Sequence, residues 1–384
     1  MRRLLVLVCA MAVVETLLYS ALAPLLPVFK AELGLSKAQA GLLVAMYAVG
    51  EAVAAVPVAL LASRVGVKRS ALAGLLMLAA TSIAFGLVDN YGGLLVTRFL
   101  QGVAGVLCWV SGIAWLVDVA PRRRRGEVIG VFSGASAAGA VLGPVVGGVG
   151  ALVGRAEAFA GVAFCALLLA VVAGRFPRPA RAARQSFAVV RRAHRSRELL
   201  GGQWLVVLPG LLLGTIGVLA PLRLHRLGWG PVGIAGTYLV AAAVGVLARP
   251  IVARWADRRG RLSAIRLLLL ACIAGTLAIP WLVSPWLLSL FVVCALISYG
   301  LLWGPAMASL SHAYEEAGVV QSAGFALMNL TAGIGIVVGS AAGGEIAHAA
   351  GDLTAYALTA TACLATFTAL TLHQQMSARR HSAH

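Results

Sequence analysis

GGLLVTRFLQGVAGVLCWVSGIAWLVD, residues 92–118, is a run of 27 residues in which Arg98 is the one charge before Asp118 closes it. A helix rises about 1.5 Å per residue and the hydrocarbon of a bilayer is about 30 Å thick, so about 20 apolar residues cross it. The run is long enough to span a membrane as a helix. A strand of a membrane barrel would alternate apolar and polar residues in segments of about ten, and this run does not.

Eleven further runs of this kind flank it, at about 4–29, 38–62, 70–88, 127–150, 156–175, 201–221, 231–253, 263–283, 286–311, 318–346 and 353–372. The expected fold is an all-α membrane protein with 12 transmembrane helices. Composition agrees: the 384 residues are 61% hydrophobic and 11% charged, with a mean hydropathy of +0.94. A soluble domain carries about 25% charged residues, so a soluble enzyme is excluded. Cys9, Cys108, Cys165, Cys272, Cys294 and Cys363 all fall in apolar runs, with no C-x-x-C pair or histidine cluster. They read as small buried hydrophobes, so neither disulfides, a metal site nor a cofactor is expected.

An even number of spans puts both termini on one side. On that side fall 25 of the 31 basic residues, among them Arg2, Arg3, Arg64, Lys68, Arg69, Arg122 to Arg125 and the arginines of 175–197. Lys30, Lys37, Arg155, Arg223 and Arg226 fall on the other, and Arg98 lies within a span. Basic loops stay cytoplasmic, so both termini are expected in the cytoplasm, with the chain in the cell (inner or plasma) membrane. The net charge of +18 is then a set of anchors facing anionic lipid, with no nucleic-acid partner. The opening Met-Arg-Arg, an apolar run and Ala21-Leu22-Ala23 also match a signal peptide, but Glu15 interrupts its core and the segment reads as the first span.

The longest polar interval, 176–200, contains seven arginines and two prolines. It divides the chain into a bundle at 1–175, a basic cytoplasmic linker at 176–200, a second bundle at 201–373 and a tail at 374–384. Three landmarks recur in both halves at offsets of 194–197 residues: Leu22-Ala23-Pro24-Leu25 as Leu219-Ala220-Pro221-Leu222, Ser63-Arg64-Val65-Gly66 as Asp257-Arg258-Arg259-Gly260, and Gly147-Gly148 as Gly343-Gly344. Their agreement argues for a duplicated unit, giving two pseudo-symmetric six-helix bundles with a substrate site between them near the bilayer midplane.

Three motifs carry a family resemblance. The loop after the second span ends Ser63-Arg64-Val65-Gly66-Val67-Lys68-Arg69, and its second-half copy reads Asp257-Arg258-Arg259-Gly260-Arg261. The fourth span holds Arg98-Phe99-Leu100-Gln101-Gly102. The fifth holds Gly130, Gly139, Gly143-Pro144 and Gly147-Gly148. With these motifs the chain resembles the major facilitator superfamily over essentially its whole length, and within it the 12-span drug:proton antiporters. The first loop resembles the signature G-x-x-x-D-R-x-G-R-R, with Ala59 in place of glycine and Ser63 in place of aspartate; the fourth span resembles R-x-x-Q-G. The fifth span matches every fixed position of the antiporter pattern G-x8-G-x3-G-P-x2-G-G. The resemblance implies loops that latch cytoplasmic helix ends by charge-assisted hydrogen bonds, and a glycine-lined helix at a gating interface.

Two acids are set apart from the rest. Glu15 lies about eleven residues into the first span and Glu51 about thirteen into the second, near the midplane, where a charged carboxylate costs roughly 2.5–3.5 kcal/mol even on the lower scales. Each is expected to face the bundle interior, and beside Arg98 each can exchange between proton-bound and ionised forms as access changes. Tyr19 follows Glu15 by four residues and Tyr47 precedes Glu51 by four, which places a phenol on the face of each acid. Gln101 and Trp109 share the face of Arg98; in the second half Tyr238, Tyr299, Trp303 and Asn329 are the expected cavity residues.

The expected activity is that of a proton-coupled exporter of small lipophilic or cationic compounds, a monomer and not an enzyme, with protons as the coupling ion. A sugar or metabolite exporter, or a proton symporter, would use the same scaffold; a non-transporting receptor is the alternative of another class.

Overall fold

The computed structural model describes residues 1–121, 124–177, 197–316 and 321–381. Most of the linker, 178–196, lies outside the described residues, as do Arg122 and Arg123 and the side chains of Ser63, Arg125, Asp257 and Arg261.

The chain is built from α1 (Arg2–Ser20), α2 (Leu22–Leu33), α3 (Lys37–Val65), α4 (Val67–Leu87), α5 (Tyr91–Val119), α6 (Arg125–Val153), α7 (Arg155–Gly174), α8 (Arg197–Arg226), α9 (Pro231–Arg259), α10 (Arg261–Ala278), α11 (Pro285–Glu316), α12 (Gln321–Ala349) and α13 (Asp352–His381). With α1 and α2 joined as Arg2–Leu33, these give 12 helices long and apolar enough to cross a membrane. Their starts follow local chemistry. Ser36 Oγ accepts from the Gln39 amide at 3.1 Å while Gln39 Oε1 accepts from the Ser36 amide at 2.9 Å, a capping box that opens α3. Asn90 Oδ1 caps α5 by accepting from the Gly93 amide at 2.8 Å.

Within the first six spans α4 packs on α5 and α7, α3 on α5, and α1 on α6. Within the last six α8 packs on α11 and α12, and α10 on α11 and α13. The two groups meet where α3 crosses α12, α6 crosses α9, and α2 touches α8 and α9. Apolar side chains on the outer faces, such as Phe164, Leu247 and Trp286, are exposed because lipid rather than water surrounds them. Two of the six cysteines, Cys165 and Cys294, lie on such exposed faces and are not buried as expected; all six are free thiols.

Contacts between the two groups gather at the end remote from the chain termini, where Gly41 abuts Ser340 and Gly344 and Gly148 meets Ala235. Toward the other end α3 exposes Val53, Val56, Leu60 and Leu61. These contacts close the molecule at the end away from its termini.

Candidate functional site

Glu15 and Glu51 project inward from α1 and α3. Glu15 is 4% exposed; its Oε1 accepts from the Tyr47 hydroxyl at 2.9 Å and its Oε2 from the Thr16 hydroxyl at 2.9 Å. Glu51 is half-buried, with Glu15, Tyr19 and Arg98 in electrostatic reach. The phenols are exchanged relative to the sequence expectation: Tyr47 of α3 serves the acid on α1, while Tyr19 of α1 is in electrostatic reach of the acid on α3. The i,i+4 spacing put each phenol on the right helix face, but two faces that meet share their partners. The Tyr19 and Tyr47 rings pack edge to face, 5.4 Å between centroids.

Arg98 is 1% exposed and does not snorkel to the surface. One guanidinium nitrogen donates to the Leu18 carbonyl and to Gln101 Oε1, both at 3.0 Å, and the charge sits 4.8 Å from the centre of the Tyr47 ring. Among the described residues no ion pair joins it to Glu15 or Glu51. Carbonyl dipoles, an amide and a π face hold the cation instead, and it acts on Glu51 only through space. Gln101 is fully buried and turned toward the Thr81 carbonyl on α4.

The remaining cavity candidates are dispersed. Tyr238 on α9, in the second group, lies within electrostatic reach of Tyr19 and donates to the Ile216 carbonyl at 3.2 Å, so it joins the site from across the interface. Trp109 packs edge to face on Phe132, 5.4 Å between centroids, in a cluster with Leu4 and Met11. Tyr299 is buried in the second group and hydrogen-bonded to Thr276. Trp303 donates to the Val206 carbonyl at 3.2 Å, beside Leu310 and Met328. Asn329 is exposed on α12. Tyr299 thus fills a bundle interior, while Trp109 and Trp303 are half-buried: helical phase told which residues share a face, not which face meets the other bundle.

The glycine pattern of α6 divides by neighbour. A methyl group at Gly139 would strike the Val13 carbonyl and Thr16, at Gly143 the Leu17 carbonyl and Ser20, and at Gly147 the Ala21 carbonyl and Pro24. Three of its glycines therefore lay α6 close along α1 and its junction with α2, inside one group. Gly148 instead meets Ala235 of the other group, and Gly130 faces open space. The second half repeats the device 196 residues on: Gly335 abuts the Val207 carbonyl, Gly339 the Leu211 carbonyl and Gly343 Thr215, while Gly344 reaches the Lys37 carbonyl of the opposite group. Sequence reading caught only the Gly343-Gly344 end of this copy; the same offset applied to the whole motif finds the rest.

The loop glycines Gly66 and Gly260 adopt φ of +92° and +89°, a matched pair of left-handed turns closed to side chains. Arg64, Arg69 and Arg258 are exposed. Lys68 donates to the Gly174 carbonyl at 2.7 Å and to that of Phe176, tying its loop to α7 within the same group. The expected latch between loops and neighbouring bundles rests on Ser63, Asp257 and Arg261, whose side chains are outside the described residues. At the opposite end stands a bridge that sequence reading missed: Lys37 Nζ of α3 pairs with Asp352 Oδ1 of α13 at 2.5 Å and donates to the Ala347 carbonyl at 3.3 Å, while Arg226 of α8 pairs with Asp352 Oδ2. Lys37 and Asp352 lie 315 residues apart, so no local pattern signals them.

Residues 8–325 match the family model of the Major Facilitator Superfamily. An uncharacterized MFS-type transporter of Yersinia pseudotuberculosis is 24% identical over 279 residues, 72% of each chain. The quinolone resistance protein NorA of Staphylococcus aureus is 28% identical over 125 residues, 33% of this chain and 32% of NorA. An uncharacterized MFS-type transporter of Methanocaldococcus jannaschii is 26% identical over 128 residues, 33% of each chain. The match thus spans about a third of the length of these last two relatives. Among solved structures, a bacterial homolog of the human lysosomal transporter Spinster, inward-facing and occupied, aligns with a TM-score of 0.74 at 17% identity over 97% of this chain and 94% of that one. That likeness concerns the fold; the family match over residues 8–325 shows that this chain belongs to the Major Facilitator Superfamily.

Proposed function

We propose that the chain exports small lipophilic or cationic compounds in exchange for protons, by alternating access. The carboxyl pair carries this reading. Two carboxylates in electrostatic reach of each other and largely out of water repel when both are ionised, so Glu15 and Glu51 hold one proton between them. With three tyrosine rings nearby and Arg98 hydrogen-bonded to the Leu18 carbonyl and Gln101, a cation entering beside Glu51 takes the place of that proton. Its charge is then balanced by the carboxylates and its apolar body by the phenol rings.

The closed end, bridged by Lys37, Asp352 and Arg226, is the external one, and the opposite end faces the cytoplasm, where 25 of 31 basic residues lie. Substrate enters from the cytoplasm, the groups rock, and an external proton releases it. With one proton exchanged for one monovalent cation no net charge crosses, so the pH gradient rather than the membrane potential drives the export. The local likeness to NorA supports a drug-like substrate. The test is uptake of tetraphenylphosphonium into everted vesicles: accumulation with an acid interior that collapses on adding an uncoupler is expected, and accumulation indifferent to the uncoupler contradicts the proposal.

A further inference from the structure

At the terminal end of the first group a cavity of about 800 Å³ opens between the start of α1 and the end of α7, lined by Arg2, Arg3, Val6, Val172, Arg175, Phe176 and Pro177. Three arginines are among its lining residues and no acidic residue is. Among the described residues none of the three is ion-paired.

The surrounding backbone adds to the positive field. Arg2 and Arg3 occupy the first turn of α1, which has no acidic residue and no side-chain cap. Two cations beside the positive end of a helix dipole, with unsatisfied amides, are unfavourable without an anion. On the other wall the carbonyls ending α7 would repel an anion, but Lys68 donates to those of Gly174 and Phe176 and cancels them. Phe176 is further held by the buried Trp115, 6.2 Å between ring centroids, so this wall is fixed. Val6 is 64% exposed and Val172 half-buried, an apolar strip running from the guanidiniums toward the acyl chains.

We propose that this groove binds one anionic phospholipid of the leaflet on the terminal side, its phosphate held by Arg2, Arg3 and Arg175 and an acyl chain along Val6 and Val172. Both chemistries, a focused cluster of donors and an apolar track beside it, are those of a headgroup with its chain; a free phosphate would use the first alone. The site is independent of the acid pair and of what the transporter carries.

The test is native mass spectrometry of the full chain in detergent, titrated with phosphatidylglycerol or phosphatidylcholine. Wild type should retain one phosphatidylglycerol in preference to phosphatidylcholine. The triple variant Arg2→Gln, Arg3→Gln, Arg175→Gln should bind it roughly a hundredfold more weakly, the loss of three cations at one headgroup. The control triple Arg254→Gln, Arg258→Gln, Arg259→Gln, with the same change in charge, should bind as wild type does. Equal losses in the two triples, no loss in the first, or displacement of the lipid by millimolar inorganic phosphate would each overturn the proposal. On the unmodified protein, a diazirine-bearing phosphatidylglycerol should label the peptides containing Val6 or Val172, and labelling elsewhere alone would contradict it whatever the fate of the variants.

Discussion

The Tyr47 hydroxyl donates to Glu15 Oε1 at 2.9 Å, joining α3 to the acid on α1 at a point where neither group reaches water. Tyr47→Phe removes the donor and keeps the ring. The buried carboxyl loses a partner, and stability should fall by about 1–3 kcal/mol. A thermal unfolding midpoint in detergent lowered by several degrees checks this; an unchanged midpoint shows that the hydroxyl contributes nothing.

Glycines of one motif should respond differently to the same substitution. Gly139→Ala and its second-half counterpart Gly335→Ala drive a methyl group into the carbonyls of Val13 and Val207 and should lower both stability and transport. Gly130→Ala meets nothing within 4 Å and should be neutral or stabilising by about 0.5–1 kcal/mol, the helix preference of alanine over glycine. Expression and thermal unfolding of the three variants decide it. Equal effects would mean that spacing, not contact, matters.

The bridge at the closed end predicts a conformational shift. Asp352 is the shared anion of Lys37 and Arg226, with side-chain exposures of 9%, 23% and 52%. Asp352→Asn leaves two cations facing each other across the group interface, worth about 1–3 kcal/mol after allowance for solvent at Arg226. The population open at that end should rise by at least fivefold. Spin labels at Asn90 and Val283, in a background with Cys9, Cys165 and Cys294 replaced by serine, should report longer distances; an unchanged distribution would show that helix packing alone closes this end.

How much of this could be read from the sequence follows from the solvent. A bilayer demands long apolar helices, so the spans were legible to within a few residues, as were Glu15, Glu51 and Arg98, since charges at the midplane stand out against lipid. Less legible was anything set by helix rotation or by contacts between halves. Tyr47 satisfies Glu15 rather than the acid on its own helix, Tyr299 turns to Thr276 inside the second group, and Lys37 finds Asp352 across the whole chain. The glycine pattern was legible as a pattern; that three of its members serve the span carrying Glu15, and that Gly148 alone crosses to the other group, needed the neighbours in place.

The exchange of a proton for a substrate at Glu15 and Glu51 is tested most directly by proton release. Purified protein in weakly buffered detergent, mixed with tetraphenylphosphonium and a pH indicator, should release about one proton per cation bound, since one carboxyl proton is displaced by one charge. The double variant Glu15→Gln, Glu51→Gln, which keeps the hydrogen-bonding shape and removes the titrating groups, should release none. Proton release of the same size from the double variant, or binding by wild type with no release at all, would contradict the account.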